Sequence, residues 1–303
     1  MSVFIKKSMG KILKQIIFQI YKLLTNLLWG TNISRFSIIR KIHTMMMRNF
    51  KPTIVCLDGF NIYLDEYDGT SLSTVGLKKQ LHLINLLKKS VHSGDTAVDV
   101  GANNGLETLQ LSRLVGNAGC VFSFEPEEKN FQILQKNVEN NNLKNVTILN
   151  MAVANETAEK YLEIGRDAAT HRLVENKNSE NLKLVKCTRL DAITKKIDFA
   201  KIDAEGYDYH VLLGMGDLIK NPDLRLIIEF QPKLLIASGT DPIEFLKFLK
   251  DNSFIIYDTE FQNEQLIPVT NFTKLTEYYS QKDPHITDLY CVKTDKLKSN
   301  TIS

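Results

Sequence analysis

Apolar residues recur along this chain at two periods. Over residues 12–29, Ile12, Leu13, Ile16, Ile17, Ile20, Leu23, Leu24, Leu27 and Leu28 fall at helical spacing, with Lys11, Lys14, Gln15, Lys22 and Asn26 mostly between them, which predicts an amphipathic helix. Shorter, β-rich runs follow. Residues 53–57 and 61–64 flank the turn signal Asp58-Gly59 and predict a hairpin, and 77–89 predict a helix. From Ser93-Gly94-Asp95 the pattern alternates: strand 96–100, helix 106–115, strand 120–124, helix 127–140, strand 146–152. Strands alternating with helices predict a parallel, doubly wound sheet. Residues 160–164 and 184–188, separated by a polar stretch, predict an inserted hairpin with a long loop. Strands 199–203 and 224–230, helix 242–250, and strands 254–257 and 289–293 complete the pattern.

With 303 residues, 43% of them hydrophobic and 24% charged, the chain can bury one large α/β core with additions. The divisions expected are a basic helical arm at 1–52, an α/β domain at 53–294 and a disordered tail at 295–303. The formal net charge of +3 is unevenly placed, because residues 1–57 hold ten Lys and Arg and no Asp or Glu. Lys14 and Lys22 interrupt the apolar stretch, which argues against a spanning helix, and no small-residue cleavage site follows it. A basic amphipathic helix ending in Trp29 suits an anionic membrane surface, a partner, or its own domain. Arg35, Arg40, Lys41, Arg48 and Lys51 extend the positive field without aromatic interleaving, so no nucleic-acid partner is expected.

Cys56, Cys120, Cys187 and Cys291 are widely spaced and form no CxxC pair, as reduced thiols of a cytoplasmic protein would, with at most a peripheral place on the inner membrane face. The glycosylation-type triplets at Asn145, Asn155 and Asn271 are set aside for want of a secretory signal.

In a doubly wound sheet, ligands sit outside the carboxyl ends of the strands where strand order reverses. At the end of strand 96–100, Asp99 is followed by Gly101, Asn103 and Gly105, which allow a tight turn and close backbone approach before a helix N-terminus. Glu125, at the next strand end, stands at the interval where an acid meets a ribose hydroxyl pair. A dinucleotide fingerprint would want glycine at position 103 to admit a pyrophosphate. The residue there is Asn103, which favours a nucleoside cofactor without phosphates. S-adenosylmethionine is such a cofactor, with its ribose at Glu125, its adenine near Asn150-Met151-Ala152 and its amino acid moiety at the glycine loop. Its cationic sulfur also tolerates a nearby carboxylate such as Asp99.

Asp203 and Glu205 leave strand 199–203 at its carboxyl end, Asp208 follows, and Glu229 lies near the end of strand 224–230. These carboxylates suit either a general base for an acceptor hydroxyl or oxygen ligation of a divalent cation such as magnesium by Asp203, Glu205 and Glu229. The bland role for Asp203 and Glu205 is to bind main-chain amides of the Gly206 turn. His171, in the polar segment 167–172, is a further catalytic candidate on an acceptor-facing lid.

The stretches Gly94-Asp95-Thr96-Ala97-Val98-Asp99-Val100-Gly101-Ala102-Asn103-Asn104-Gly105, Phe122-Ser123-Phe124-Glu125-Pro126 and Asp198-Phe199-Ala200-Lys201-Ile202-Asp203-Ala204-Glu205-Gly206-Tyr207-Asp208 resemble the FkbM family of class I methyltransferases. The resemblance covers about 53–230 and leaves out the basic arm. It implies a Rossmann-like, mostly parallel seven-stranded sheet whose last strand is antiparallel, S-adenosylmethionine as donor, and O-methylation of a sugar, glycan or natural-product hydroxyl. The chain departs from the family at Glu107, where an aromatic or apolar residue is common. Two rival readings are a nicotinamide-dependent oxidoreductase, which Glu125 would also suit, and a non-catalytic, membrane-associated binding module.

Overall fold

The structure, a computed structural model, describes residues 54–64, 74–165, 170–174, 181–259, 266–281 and 286–294, with scattered helical positions between 16 and 46. Most of the expected arm, the expected tail at 295–303 and positions 167–169 of the expected lid lie outside the described residues. The chain forms two compact units, Met1–Lys78 and Lys79–Ser303.

In the first unit, β1 (Ile54–Leu57) and β2 (Phe60–Tyr63) pair antiparallel. Asp58 and Gly59 between them both have positive φ, 49° and 84°, as a two-residue hairpin turn that matches strand twist requires. Among the described residues, no helix is long and apolar enough to cross a membrane.

The second unit is built on a mixed sheet. Helix α1 (Thr74–Ser90) leads into β3 (Thr96–Val100), α2 (Leu106–Val115), β4 (Cys120–Phe124), α3 (Glu128–Asn140) and β5 (Val146–Leu149). After an insertion and the short α4 (Leu190–Ile193) come β10 (Phe199–Ile202), β11 (Arg225–Phe230), β12 (Phe254–Asp258), the two-residue β13 (Ile267–Pro268) and β14 (Thr287–Lys293). The spatial order is β13-β12-β14-β11-β10-β3-β4-β5. From β11 through β5 neighbouring strands run parallel, whereas β14 lies antiparallel between β11 and β12. The expected seven strands are present with the last one reversed, and β13 adds a short edge.

Both faces of the central strands are covered, which is why β10 and β11 are buried at every position. On one face Val98, Val100, Ile202, Leu226 and Ile228 pack beneath α5 (Asp208–Leu213), α6 (Pro232–Ala237), α7 (Pro242–Asp251) and α8 (Phe272–Gln281). On the other, Ala97, Phe199 and Ile227 pack against Leu83, Leu86 and Leu87 of α1 and Leu111 and Val115 of α2. By the two-residue period of a strand, Asp99, Lys201 and Glu229 share this second face.

The insertion is larger than a hairpin. The expected pair is there as β7 (Ala158–Glu163) and β9 (Leu182–Thr188), antiparallel from Ala158↔Cys187 to Glu163↔Leu182. β8 (Arg172–Val174) and β6 (Ala152–Val153) extend it to four strands in the order β6-β9-β7-β8. The expected strand 146–152 is therefore two strands. Asn150 interrupts it: its side-chain amide donates to the carbonyl of Glu125 at 2.9 Å, and the Met151 amide turns back to Leu149 O at 3.0 Å. Ala152 then pairs with Cys187 in the smaller sheet. The four cysteines are free thiols.

Candidate active site

The carboxyl ends of β3, β4, β10 and β11 bring the sequence motifs together. The loop after β3 is set by backbone geometry: Gly101, Asn103 and Gly105 have φ of 75°, 49° and 85°. A Cβ on Gly101 would stand 1.9 Å from the carbonyl oxygen of Asp203, so glycine is required there for the β3 loop to lie on the end of β10. The Gly101 and Ala102 amides donate to Phe124 O at 3.0 and 2.9 Å, and the Asn137 side chain donates to Asn104 O at 2.6 Å. The loop is thereby tied to β4 and α3.

Glu125 holds the same loop from the other side. Its Oε2 accepts from the Asn103 amide at 2.8 Å and its Oε1 from the Glu127 amide at 2.9 Å. Burial outweighs these donors and pushes its carboxyl up to about 7. Glu127 caps α3 by accepting from the Lys129 and Asn130 amides, at 2.7 and 3.0 Å, and pairs with Lys183 of β9 at 2.7 Å.

Beneath the loop lies a polar layer on the α2 side of the sheet. Lys201 stands opposite Asp99, and Asp99 opposite Ser123, in the strand register. Thr108 of α2 donates to Asp99 Oδ2 at 2.6 Å and lies 3.0 Å from Ser123 Oγ. Lys201 Nζ is 3.2 Å from Asp203 Oδ2 and 4.0 Å from Asp99 Oδ1. Burial pulls the Lys201 ammonium towards neutrality, but the carboxylates of Asp203, Asp99 and Glu107 outweigh it and hold its pKa above the ordinary value. Asp99 and Glu107 are both pushed up, first by burial, with Lys201 opposing the shift in each. Asp99 thus sits under the glycine loop, where it positions α2 and balances Lys201. Glu107, the departure from the family pattern, belongs to the same charge cluster.

Asp203 and Glu205 follow β10, and Glu229 comes from β11. A ligating oxygen from each of the three can be chosen so that all lie within 4.8 Å of one another. The turn beside them is ordered by Asp208: its Oδ1 accepts from the Ala204 amide and its Oδ2 from the Gly206 amide, both at 3.0 Å. Asp208 therefore binds two of the main-chain amides of the Gly206 turn. Burial, reinforced by Asp203, raises the Asp208 carboxyl. Gly206 has φ 93° and would press a Cβ to within 2.6 Å of the Leu234 backbone, which seats the turn against α6.

His171 is not part of the carboxylate group. It precedes β8, where its Nδ1 accepts from the Gly165 amide at 3.1 Å. Ala152 is buried in β6. His210 stacks on Tyr207 with ring centroids 4.0 Å apart.

Sequence reading singled out the glycine loop, Glu125, Asp203, Glu205 and Glu229. It gave Lys201 no role of its own, although a lysine in a strand otherwise buried on both faces signals a buried charge needing partners. Nor did it find Thr108, or the tie from Asn150 to the Glu125 backbone.

The chain matches the family described as Methyltransferase FkbM domain over residues 99–256. It is 32% identical over 72 residues to the Saccharolobus solfataricus protein named "Probable cobalt-precorrin-6B C(15)-methyltransferase (decarboxylating)", covering 24% of this chain and 36% of that one. It thus spans little more than a third of the length of the curated relatives it matches. Similar solved structures include a methyltransferase FkbM from Methylobacillus flagellatus, with 18% identity, TM-score 0.35, and 66% and 50% of the two chains covered. A SAM dependent methyltransferase from Aquifex aeolicus is similar at 15% identity and TM-score 0.42, over 74% of this chain and 93% of that one. Matched by the family over more than half of its length, the chain belongs to the FkbM methyltransferase family.

Proposed function

We propose that the protein transfers a methyl group from S-adenosylmethionine to a hydroxyl oxygen of a sugar, glycan or natural-product acceptor. The observation that carries this reading is the contact between the glycine loop and β10: the Gly101 backbone lies against Asp203, so a cofactor on the loop is beside the Asp203, Glu205 and Glu229 carboxylates.

The residues present fit this cofactor. Gly101 and Gly105 let the loop lie close against Asp203 and Leu134, and Glu125 offers a buried carboxylate with acceptor capacity left for a ribose hydroxyl. S-adenosylmethionine, when bound, supplies an electrophilic methyl group on a positively charged sulfur. The loop from Gly101 to Gly105 and Glu125 fix its position, and the group around Asp203 fixes the acceptor. Alignment of this kind is worth several kcal/mol. The Asp203 or Glu205 carboxylate would take up the proton of the acceptor hydroxyl, and the Lys201 ammonium stands 3.2 Å from Asp203. A second reading, favoured by the closeness of the three carboxylates, has Asp203, Glu205 and Glu229 hold magnesium, which lowers the pKa of the acceptor hydroxyl.

Calorimetric titration with S-adenosylmethionine, S-adenosylhomocysteine and NAD, followed by methyl incorporation into a panel of hydroxylated acceptors with magnesium or with chelator, tests both. Binding of the first two and methylation of a hydroxyl support the proposal. NAD binding alone, or methylation only at carbon or nitrogen, overturns it, and activity indifferent to chelation removes the metal.

A further inference from the structure

Two helical stretches of the first unit present apolar side chains outward. Ile16, Ile20, Leu23 and Leu24, at positions i, i+4, i+7 and i+8 of one helix face, are 51%, 53%, 63% and 52% exposed. Ile38, Ile42 and Met45 repeat the i, i+4, i+7 spacing at 62%, 43% and 51% exposure. Ile17 and Ile39, beside these stripes, are half-buried, so the exposure is ordered by face.

Charge distinguishes these stripes from an ordinary apolar face awaiting a protein. Residues 1–57 carry Lys6, Lys7, Lys11, Lys14, Lys22, Arg35, Arg40, Lys41, Arg48 and Lys51, and the first acid of the chain is Asp58. In the sequence, Lys11, Lys14 and Lys22 fall at the spacing of the face opposite Ile16, Ile20 and Leu23. An apolar stripe backed by cations with no anion among them is the pattern of a helix lying in a lipid interface. Its stripe sinks to the boundary of headgroups and acyl chains while the lysine stems reach up to the phosphates.

We propose that the face of Ile16, Ile20, Leu23 and Leu24, together with that of Ile38, Ile42 and Met45, is a docking surface for a bilayer bearing anionic headgroups. The cations draw the arm to the surface and the stripes hold it there, and a neutral bilayer offers only the second of these. This placement would bring the enzyme to acceptors carried on or near a membrane. It rests on the arm alone and stands whether or not the acceptor is a hydroxyl.

Flotation of the full chain with vesicles of phosphatidylcholine alone, and of phosphatidylcholine mixed with phosphatidylglycerol, tests it. The expected result is co-flotation with the mixed vesicles only, weakened as salt shortens the reach of the charges. Replacing Lys14→Gln and Lys22→Gln together should lower the partition coefficient on the order of 10-fold to 30-fold and flatten its salt dependence. Replacing Leu23→Glu and Leu24→Glu together should abolish flotation. Circular dichroism and thermal melting establish that both variants are folded. Equal flotation with both vesicles overturns the proposal by removing the anionic headgroup from the recognition; absence of flotation, or flotation unchanged in both folded variants, overturns it and leaves the stripes to a protein partner or a second copy.

Discussion

At their amino ends, β3, β10 and β11 are flanked by Asp95, Asp198 and Arg225; at their carboxyl ends they carry Asp99, Lys201, Asp203 and Glu229. Both sets include buried charges, and the two ends handle them differently. The Arg225 guanidinium donates from Nη2 to both oxygens of Asp95 at 3.0 Å and to Asp198 O at 3.1 Å, and from Nη1 to Ser90 O at 2.8 Å. Asp198 accepts from the Thr96 amide at 2.9 Å and meets Lys196 at 3.0 Å. Burial would raise the Asp198 carboxyl, but these donors outweigh it and hold it below its ordinary value. At the carboxyl ends several carboxylates share the one ammonium of Lys201, and the carboxyls of Asp99 and Glu107 are raised. One end of the sheet spends its charges on stability. The other leaves the carboxyls of Asp99 and Glu107 raised, as the proposed catalytic role of this end would require.

The contrast breaks most visibly if Asp203→Asn leaves turnover intact. The expected loss is about 10²–10⁴-fold in kcat. Calorimetry should find cofactor affinity within about threefold of the parent and melting modestly lowered, because Lys201 loses its nearest carboxylate while Asp99 and Asp208 lose a like charge. Next in size is Arg225→Met, which strands Asp95 in a buried position and should cost about 3–5 kcal/mol in denaturant unfolding. The folded fraction should bind cofactor normally; impaired binding would show that the two ends are not independent.

Titration supplies a smaller test. Because the Glu125 carboxyl is raised to about 7, the folded protein binds its proton more tightly than the unfolded chain. The stability this group contributes is therefore full below the unfolded value, near 4.5, and lost as pH rises through about 7. Ribose hydroxyls favour its ionised form, so cofactor affinity should run the other way and be about tenfold weaker at pH 6 than at pH 8. Calorimetry across that window showing flat affinity would remove Glu125 from the ribose. Smallest is the shift expected from Lys201→Gln. Without the ammonium, which opposes the rise of the Asp99 and Glu107 carboxyls, both should rise further, so the loss of stability with increasing pH should extend to higher pH, and Lys201→Arg should largely restore the parent profile. A stability profile that does not move would show that Lys201 does not govern these carboxyls.

Much of this architecture was written in local periodicity. The alternation from residue 96 to 140 predicted β3, α2, β4 and α3 almost to the residue, because each element is long enough for its period to show. The glycine loop was legible for a similar reason, since backbone geometry there demands particular residues. What escaped was either short or set by distant partners. Two-residue β6 and three-residue β8 exist only because β9 and β7 pair with them. Helix α6 has six residues and no side-chain cap. Of the site, carboxylates at strand ends announced themselves, but that Asp208 binds the turn amides depends on which oxygen reaches which amide. The Arg225–Asp95 pair joins residues 130 positions apart and leaves no mark on any periodic pattern.

The position of β14 has a consequence for synthesis. It pairs with β11 through six residues and with β12 through five, so both of those apolar strands lack a neighbour until Thr287–Lys293 has been made. While the ribosome works through the thirty or so residues between Asp258 and Thr287, two open sheet edges coexist on one nascent chain. Chains truncated in that interval should be the ones that aggregate or recruit chaperones, and completion of a single late strand closes both edges at once.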